Sequence, residues 1–281
     1  MPLVAQDLTY RYPGAAAPVL NGFAVAVPPG RVVTLCGAAR SGRSTALALL
    51  AGLMGTQGGS VMIDKEQVTG HAARGRVGLL LQNADEALFG LTVRDDVMFA
   101  PLQLGLSRED ASVRAERALR AVGLDPHRFA LRSPFSLSGG QRRRAAIAGL
   151  LAMEPSYVLL DEPFVGLDPQ GRDEIKAVIR AIATSGFTRR TGVLVALSTV
   201  EGALGLGDEL VVLHAGRAVW DGPVAGYVAR PPDVAPWGLQ QPELVALEAR
   251  LTERGWDLPA SGVNAGALAA AITGRVRGAR P

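Results

Sequence analysis

The stretch VVTLCGAARSGRST, residues 32–45, decides the fold. Val32 to Cys36, entered from Arg31, is a short run of apolar and β-branched residues and reads as a buried strand. Gly37, Ala38, Ala39, Arg40, Ser41, Gly42, Arg43, Ser44 and Thr45 then follow the spacing G-x-x-x-x-G-K-[ST], with arginine in the lysine position. Ser44 to Leu53 has the spacing of a helix. A strand that feeds a glycine turn opening a helix brings successive backbone N–H groups together where the helix dipole also favours an anion. The loop is a candidate phosphate cradle, and Ser44 is placed to ligate Mg²⁺. An ordinary glycine turn has the same letters; the strand before it and the helix after it weigh against that. Arg43 is still a cation, but its wide planar fork differs in reach and shape from a compact ammonium. Occupancy is therefore less at risk than turnover, which depends on donors placed to a fraction of an ångström.

Two further stretches extend this unit. In LSGGQ, residues 137–141, Ser138 can cap a helix running to Met153, while Gly139 and Gly140 allow close backbone approach and Gln141 follows. Alone it would be a capped helix. The apolar run YVLLDEP, residues 157–163, reads as a second buried strand ending in paired carboxylates. Side by side in apolar surroundings, Asp161 and Glu162 would repel unless a cation sits there. Asp161 can hold Mg²⁺ through a water and Glu162 can polarise an attacking water. A solvent-facing acidic pair at a strand end is the plainer alternative.

The rest of the chain has the alternation of an α/β protein. Leu3 to Tyr10 and Val19 to Val27 read as strands of an antiparallel edge, Val77 to Leu81 as a buried strand, and Thr92 to Phe99 and Ser107 to Val122 as helices, the latter opening with a Ser-x-x-Asp capping box. A helix from Gln170 to Thr184 and strands at Val193 to Leu197 and Leu210 to Leu213 complete the pattern. Past Pro231 and Pro232 the composition shifts. A linker there precedes an amphipathic helix at Glu243 to Arg254 and a smaller one at Ala265 to Thr273, with Arg275 to Pro281 frayed. The expected organisation is one large unit, residues 1–230, with a mainly helical subdomain inserted at 83–155, and a helical extension, 231–281.

With 281 residues, 48% of them hydrophobic, the chain can bury a sizeable core. Its formal charge of +3 gives no argument for a nucleic-acid partner. The single cysteine, Cys36, rules out an intrachain disulfide and reads as a buried strand residue. His71, His127 and His214 show no ligand spacing and read as loop or surface residues. No secretory signal and no apolar run of the roughly 20 residues that span a bilayer is present. Any membrane role is that of a peripheral subunit.

From Leu3 to Val228 the order and spacing of these motifs resemble the ABC ATPases. The resemblance implies a P-loop NTPase cassette: a mostly parallel sheet core with an antiparallel β edge and a helical subdomain. It also implies ATP and Mg²⁺ as cofactors. In that pattern Tyr12 stacks on adenine, although Tyr10 would face the same side of a strand. Gln82 is the Q-loop glutamine and a metal ligand beside Ser44 and Asp161, Leu137 to Gln141 is the signature, and Asp168 within GLDP belongs to the D-loop. The family's switch histidine, counted back from Asp208, falls on Ser198, whose short hydroxyl reaches less far than imidazole and carries no charge.

LQNADEALFGLTVRDDVMFAP, SLSGGQRRRAAIAGLLAMEP and ELVALEARLTERGWDLP are similar to the ATPases of energy-coupling factor transporters and of cobalt and nickel uptake systems. The Arg142 to Arg144 run belongs to that pattern, and a solvated helix face would explain it equally well. Such cassettes pair head to tail on the cytoplasmic face of the membrane, each nucleotide lying between one chain's phosphate loop and the other's signature. The expected partners are a second ABC ATPase, in a heterodimer rather than a homodimer, a transmembrane coupling subunit and a substrate-binding membrane subunit. Arg43 and Ser198 would weaken the chain's own site. A silent regulatory cassette or a non-transport ABC ATPase are the alternatives, and cargo is not legible.

Overall fold

The strands that read as unbroken apolar runs form a parallel sheet covered on both faces. The structure, a computed structural model, describes residues 1–83, 88–185, 190–256 and 265–278. The chain opens with β1 (Leu3–Tyr10) and β2 (Leu20–Val27), then β3 (Val32–Cys36) and α1 (Arg43–Leu50). Next come β4 (Gly58–Ile63), β5 (Glu66–Gln67), α2 (Gly70–Ala73) and β6 (Val77–Leu80). The helices α3 (Val93–Gln103), α4 (Arg108–Ala121), α5 (Pro126–Phe129) and α6 (Gly139–Leu151) separate β6 from β7 (Tyr157–Asp161). The remainder is α7 (Pro169–Ser185), β8 (Gly192–Leu197), β9 (Glu209–His214), β10 (Arg217–Pro223), α8 (Val224–Ala229), α9 (Glu243–Glu253) and α10 (Ala265–Gly278).

One sheet has the order β10-β9-β3-β8-β7-β6, all parallel except β10, which returns antiparallel on β9. The expected antiparallel edge is instead a sheet of its own, ordered β2-β1-β4-β5. The cause is visible in β2, whose exposed and buried residues alternate from Gly22 to Val27. Such a strand has one apolar face to cover, not two. That face closes over α1: Val25, Val27, Leu47 and Leu50 share a core with Val33 and Leu35 of β3. The alternate residues of β3, Val32 and Cys36, turn to the opposite core, which holds α4, α6 and α7. The cradle after β3 is thus anchored in both cores.

Helix starts carry side-chain caps, that of Ser107 as expected and that of Thr92 in addition. Ser107 accepts from the Asp110 N–H at 3.0 Å, and Thr92 accepts from that of Asp95 at 3.2 Å. Each such cap contributes about 1 kcal/mol. Arg275 to Gly278, expected frayed, continue α10, because Arg275 donates to the Gly255 carbonyl at 3.0 Å and lies over the Trp256 ring. His127 is exposed in α5, and His214, half-buried, closes β9. Residues 84–87 and 257–259 of the family-like stretches, and 279–281, lie outside the described residues. No helix among the described residues is long and apolar enough to cross a membrane.

Candidate functional site

The loop from Gly37 to Thr45 is held by close backbone approach. A Cβ on Gly37 would lie 2.5 Å from the Leu213 carbonyl oxygen and 2.5 Å from Ser41 Oγ. Gly42 has φ 109° and would place a Cβ 2.8 Å from the Val19 carbonyl oxygen, so no other residue fits either place. Arg40, at φ 65°, takes the left-handed turn between them. Gly42 offers no side chain to cap α1, which leaves the helix's first N–H groups for an anion. Val19, Ala38 and Arg40 to Thr45 line a cleft of 250 Å³; Ala39 lies exposed in the same loop. The Tyr12 hydroxyl lies 3.1 Å from Thr45 Oγ1, and the Tyr10 ring packs edge-on against that of Tyr12. Tyr12 is therefore the tyrosine that touches α1, with Tyr10 against its ring.

At the floor, Ser44 Oγ donates to Asp161 Oδ2 at 2.6 Å. A hydroxyl and a carboxylate brought together are the hard oxygen donors that Mg²⁺ takes. Ser41 Oγ is buried with no hydrogen-bond partner among the described residues, an orphaned donor in a loop shaped for phosphate. These residues fit a magnesium nucleotide. When bound, the ion would supply charge to the phosphate oxygens, with Ser44 and Asp161 holding it. Gln82, the third expected ligand, is exposed past the end of β6, and its carbonyl accepts from Arg143 at 2.9 Å.

Arg43 turns away from the role a lysine would have. Its guanidinium donates to the carbonyls of Gly37 and, at 2.8 Å, Leu197, and pairs with Glu162 at 3.0 Å. The two side chains are only 12% and 11% exposed. Glu162 has its backbone at φ 48° and its N–H on the Ala196 carbonyl at 3.0 Å. Burial pushes its carboxyl above the ordinary value, while Arg43 and hydrogen bonds from the Ser198 hydroxyl and backbone pull it back. The serine at the switch position thus serves Glu162.

Ser138 to Gln141 lie elsewhere. Ser138 Oγ accepts from the Gln141 N–H at 3.3 Å, and the Gln141 side chain accepts from the Ser138 N–H at 3.1 Å. Asp168 Oδ1 accepts from the Gly171 N–H at 2.7 Å at the start of α7. Ser138, Gly139, Gly140, Gln141 and Asp168 share a cleft of 390 Å³ that has no lining residue in common with the phosphate loop's. The expected residues therefore fall into two groups on one chain.

Arg143 is the residue that sequence reasoning missed. It is 5% exposed, and its fork donates to the carbonyls of Gln82 at 2.9 Å and Val165 at 3.2 Å. A solvated helix face does not describe Arg142 to Arg144: Arg142 donates to the Leu137 carbonyl at 3.2 Å and Arg144 pairs with Glu174 at 3.2 Å. The middle place in an arginine run on a capped helix was the available signal.

Comparison with known proteins agrees with this geometry. Residues 20–165 match the ABC transporter family. The energy-coupling factor transporter ATP-binding protein EcfA2 of Symbiobacterium thermophilum is 37% identical, over 99% of this chain and 98% of its own length. The cobalt import ATP-binding protein CbiO of Rhodobacter capsulatus is 38% identical over 87% of each. Among solved structures, cbiO1 from Clostridium perfringens, part of the ABC transporter complex cbiONQ, superposes with a TM-score of 0.74 at 26% identity, covering 88% of this chain and 98% of that one. The chain belongs to the ABC transporter family, as an ATP-binding cassette ATPase.

Proposed function

We propose that this chain is the ATP-binding subunit of an importer of the energy-coupling factor or cobalt-uptake kind, peripheral on the cytoplasmic face of the membrane. It binds magnesium ATP in a seam shared head to tail with a second, non-identical cassette. The observation that carries this reading is the division between the two clefts. The signature cleft keeps its expected residues, while in the phosphate loop the one cation at the lysine position is tied to Glu162. The chain lends a competent signature to its partner's loop and brings a weakened loop of its own. Exposed Phe89 and Leu91 just before α3 and Phe99 within it suit a transmembrane coupling subunit. A substrate-binding membrane subunit would select the cargo, a vitamin or a metal ion.

A catalytically silent cassette is favoured by the same Arg43–Glu162 contact, and turnover separates the two. Purified alone, the chain should hydrolyse magnesium ATP at close to background rate, and hydrolysis should appear when a partner cassette with an intact loop is added. Brisk turnover by the chain alone overturns the asymmetry. Continued silence in the complex favours the silent cassette, and a calorimetric titration with no heat of ATP binding overturns the nucleotide reading itself.

A further inference from the structure

Past β10 the chain crosses back over the candidate site. Its proline-rich composition reads as a linker, yet Val234, Leu239 and Val245 are 3%, 8% and 2% exposed and belong to the larger core. Between them a short 3₁₀ turn, Ala235–Trp237, ends at Gly238, which has φ 70°. A Cβ placed on Gly238 would lie 3.5 Å from that of Ala38, so the crossing chain rests on the phosphate loop. Gln241 is pinned from beneath by the hydroxyl of the fully buried Tyr227, at 2.6 Å. The backbone N–H of Glu243, in the first turn of α9, then donates to Glu201 Oε2 at 3.2 Å. Glu201 belongs to the loop that begins at Ser198, and Leu244 lines the same 450 Å³ cavity as Glu162 and Ser198.

One continuous segment therefore touches the phosphate loop at one end and the switch loop at the other. We propose that residues 234–245 are a positioning strap for the nucleotide site, with Glu201 the positioning residue that ties the switch loop to it. Nucleotide binding at either loop biases the placement of α9, and whatever biases α9 changes nucleotide affinity in return, as linkage requires. The inference rests on the reading of Gly37 to Thr45 as a nucleotide site and adds a route of regulation to it.

Amide hydrogen exchange of the full-length chain with and without magnesium ADP tests it, since ADP needs no turnover. The expected result is slowed exchange at 37–45 together with slowing at 235–244 by about fivefold or more, the low end of ordinary coupling. Slowing at 37–45 alone overturns the strap and leaves the nucleotide reading standing. No slowing anywhere removes both. Glu201→Ala should abolish the gain at 239–244 while keeping it at 37–45, and Glu201→Gln, which still offers an acceptor, should restore it. An undiminished gain in Glu201→Ala overturns the assignment of Glu201.

Discussion

Arg43 has five N–H donors fixed in one plane, and it needs that shape to reach two carbonyls and a carboxylate at once. Its partner gives the pair a pH signature. Burial raises Glu162 above its ordinary 4.5, so in the window above 4.5 the folded chain holds a proton that the unfolded chain has lost. The stability from that proton is present below the ordinary value and is lost as pH rises through the folded one. Arg43→Met removes the charge that limits the rise, so the loss deepens. We expect Arg43→Met to be less stable than the parent at every pH, because its hydrogen bonds to the Gly37 and Leu197 carbonyls are lost, and the deficit to be larger by about 2 kcal/mol at about pH 8 than at about pH 4, where Glu162 is protonated in both. Thermal unfolding at the two pH values checks this, and a gap independent of pH overturns it. The arginine was legible in the sequence as a departure at the lysine position of an otherwise regular spacing. Its destination was not, because nothing local to residue 43 says that Leu197 and Glu162 converge on it.

Elements were legible where their pattern is intrinsic. The buried strands β3, β7 and β8 are unbroken apolar runs, and α3, α4 and α6 begin at their own caps. Of the strands that went unread, β5 and β10 are edges, and β4 has only the two-residue β5 beyond it. β5 is two exposed residues, β4 begins with two glycines, and β10 is mostly exposed and ends Asp-Gly-Pro. Their pairing comes from the neighbour, not from a pattern of their own. Arg143 belongs to the same class: only the folded arrangement puts two carbonyls over α6. It joins that helix to the loop of Gln82 and to the segment before the D-loop. Arg143→Lys keeps the charge but cannot span both carbonyls, and should cost about 1–2 kcal/mol. Exchange at 81–83 should quicken with it, which thermal unfolding and amide exchange would show; unchanged exchange there would mean that the fork does not hold that loop.

For the whole molecule, the decisive geometry is that the two clefts of one chain share no lining residue. On the proposed head-to-tail pairing, a nucleotide in the phosphate loop of this chain meets the signature of another, and the signature of this chain serves another's loop. If the two seams are unequal in the way Arg43 and Ser198 indicate, damage to this chain's signature falls on the better site and damage to Glu162 on the poorer one. In the assembled transporter, Ser138→Arg should therefore abolish ATP-driven uptake, while Glu162→Gln should leave most of it. Ser138 also caps α6, and loss of a cap costs about 1 kcal/mol. Ser138→Ala separates the two effects: it loses the cap without filling the cleft, and should unfold earlier yet retain more uptake than Ser138→Arg. Uptake measured in vesicles with each variant beside an unaltered partner decides the matter. Equal losses from Ser138→Arg and Glu162→Gln would show that both seams contribute alike, and that Arg43 releases Glu162 once nucleotide binds.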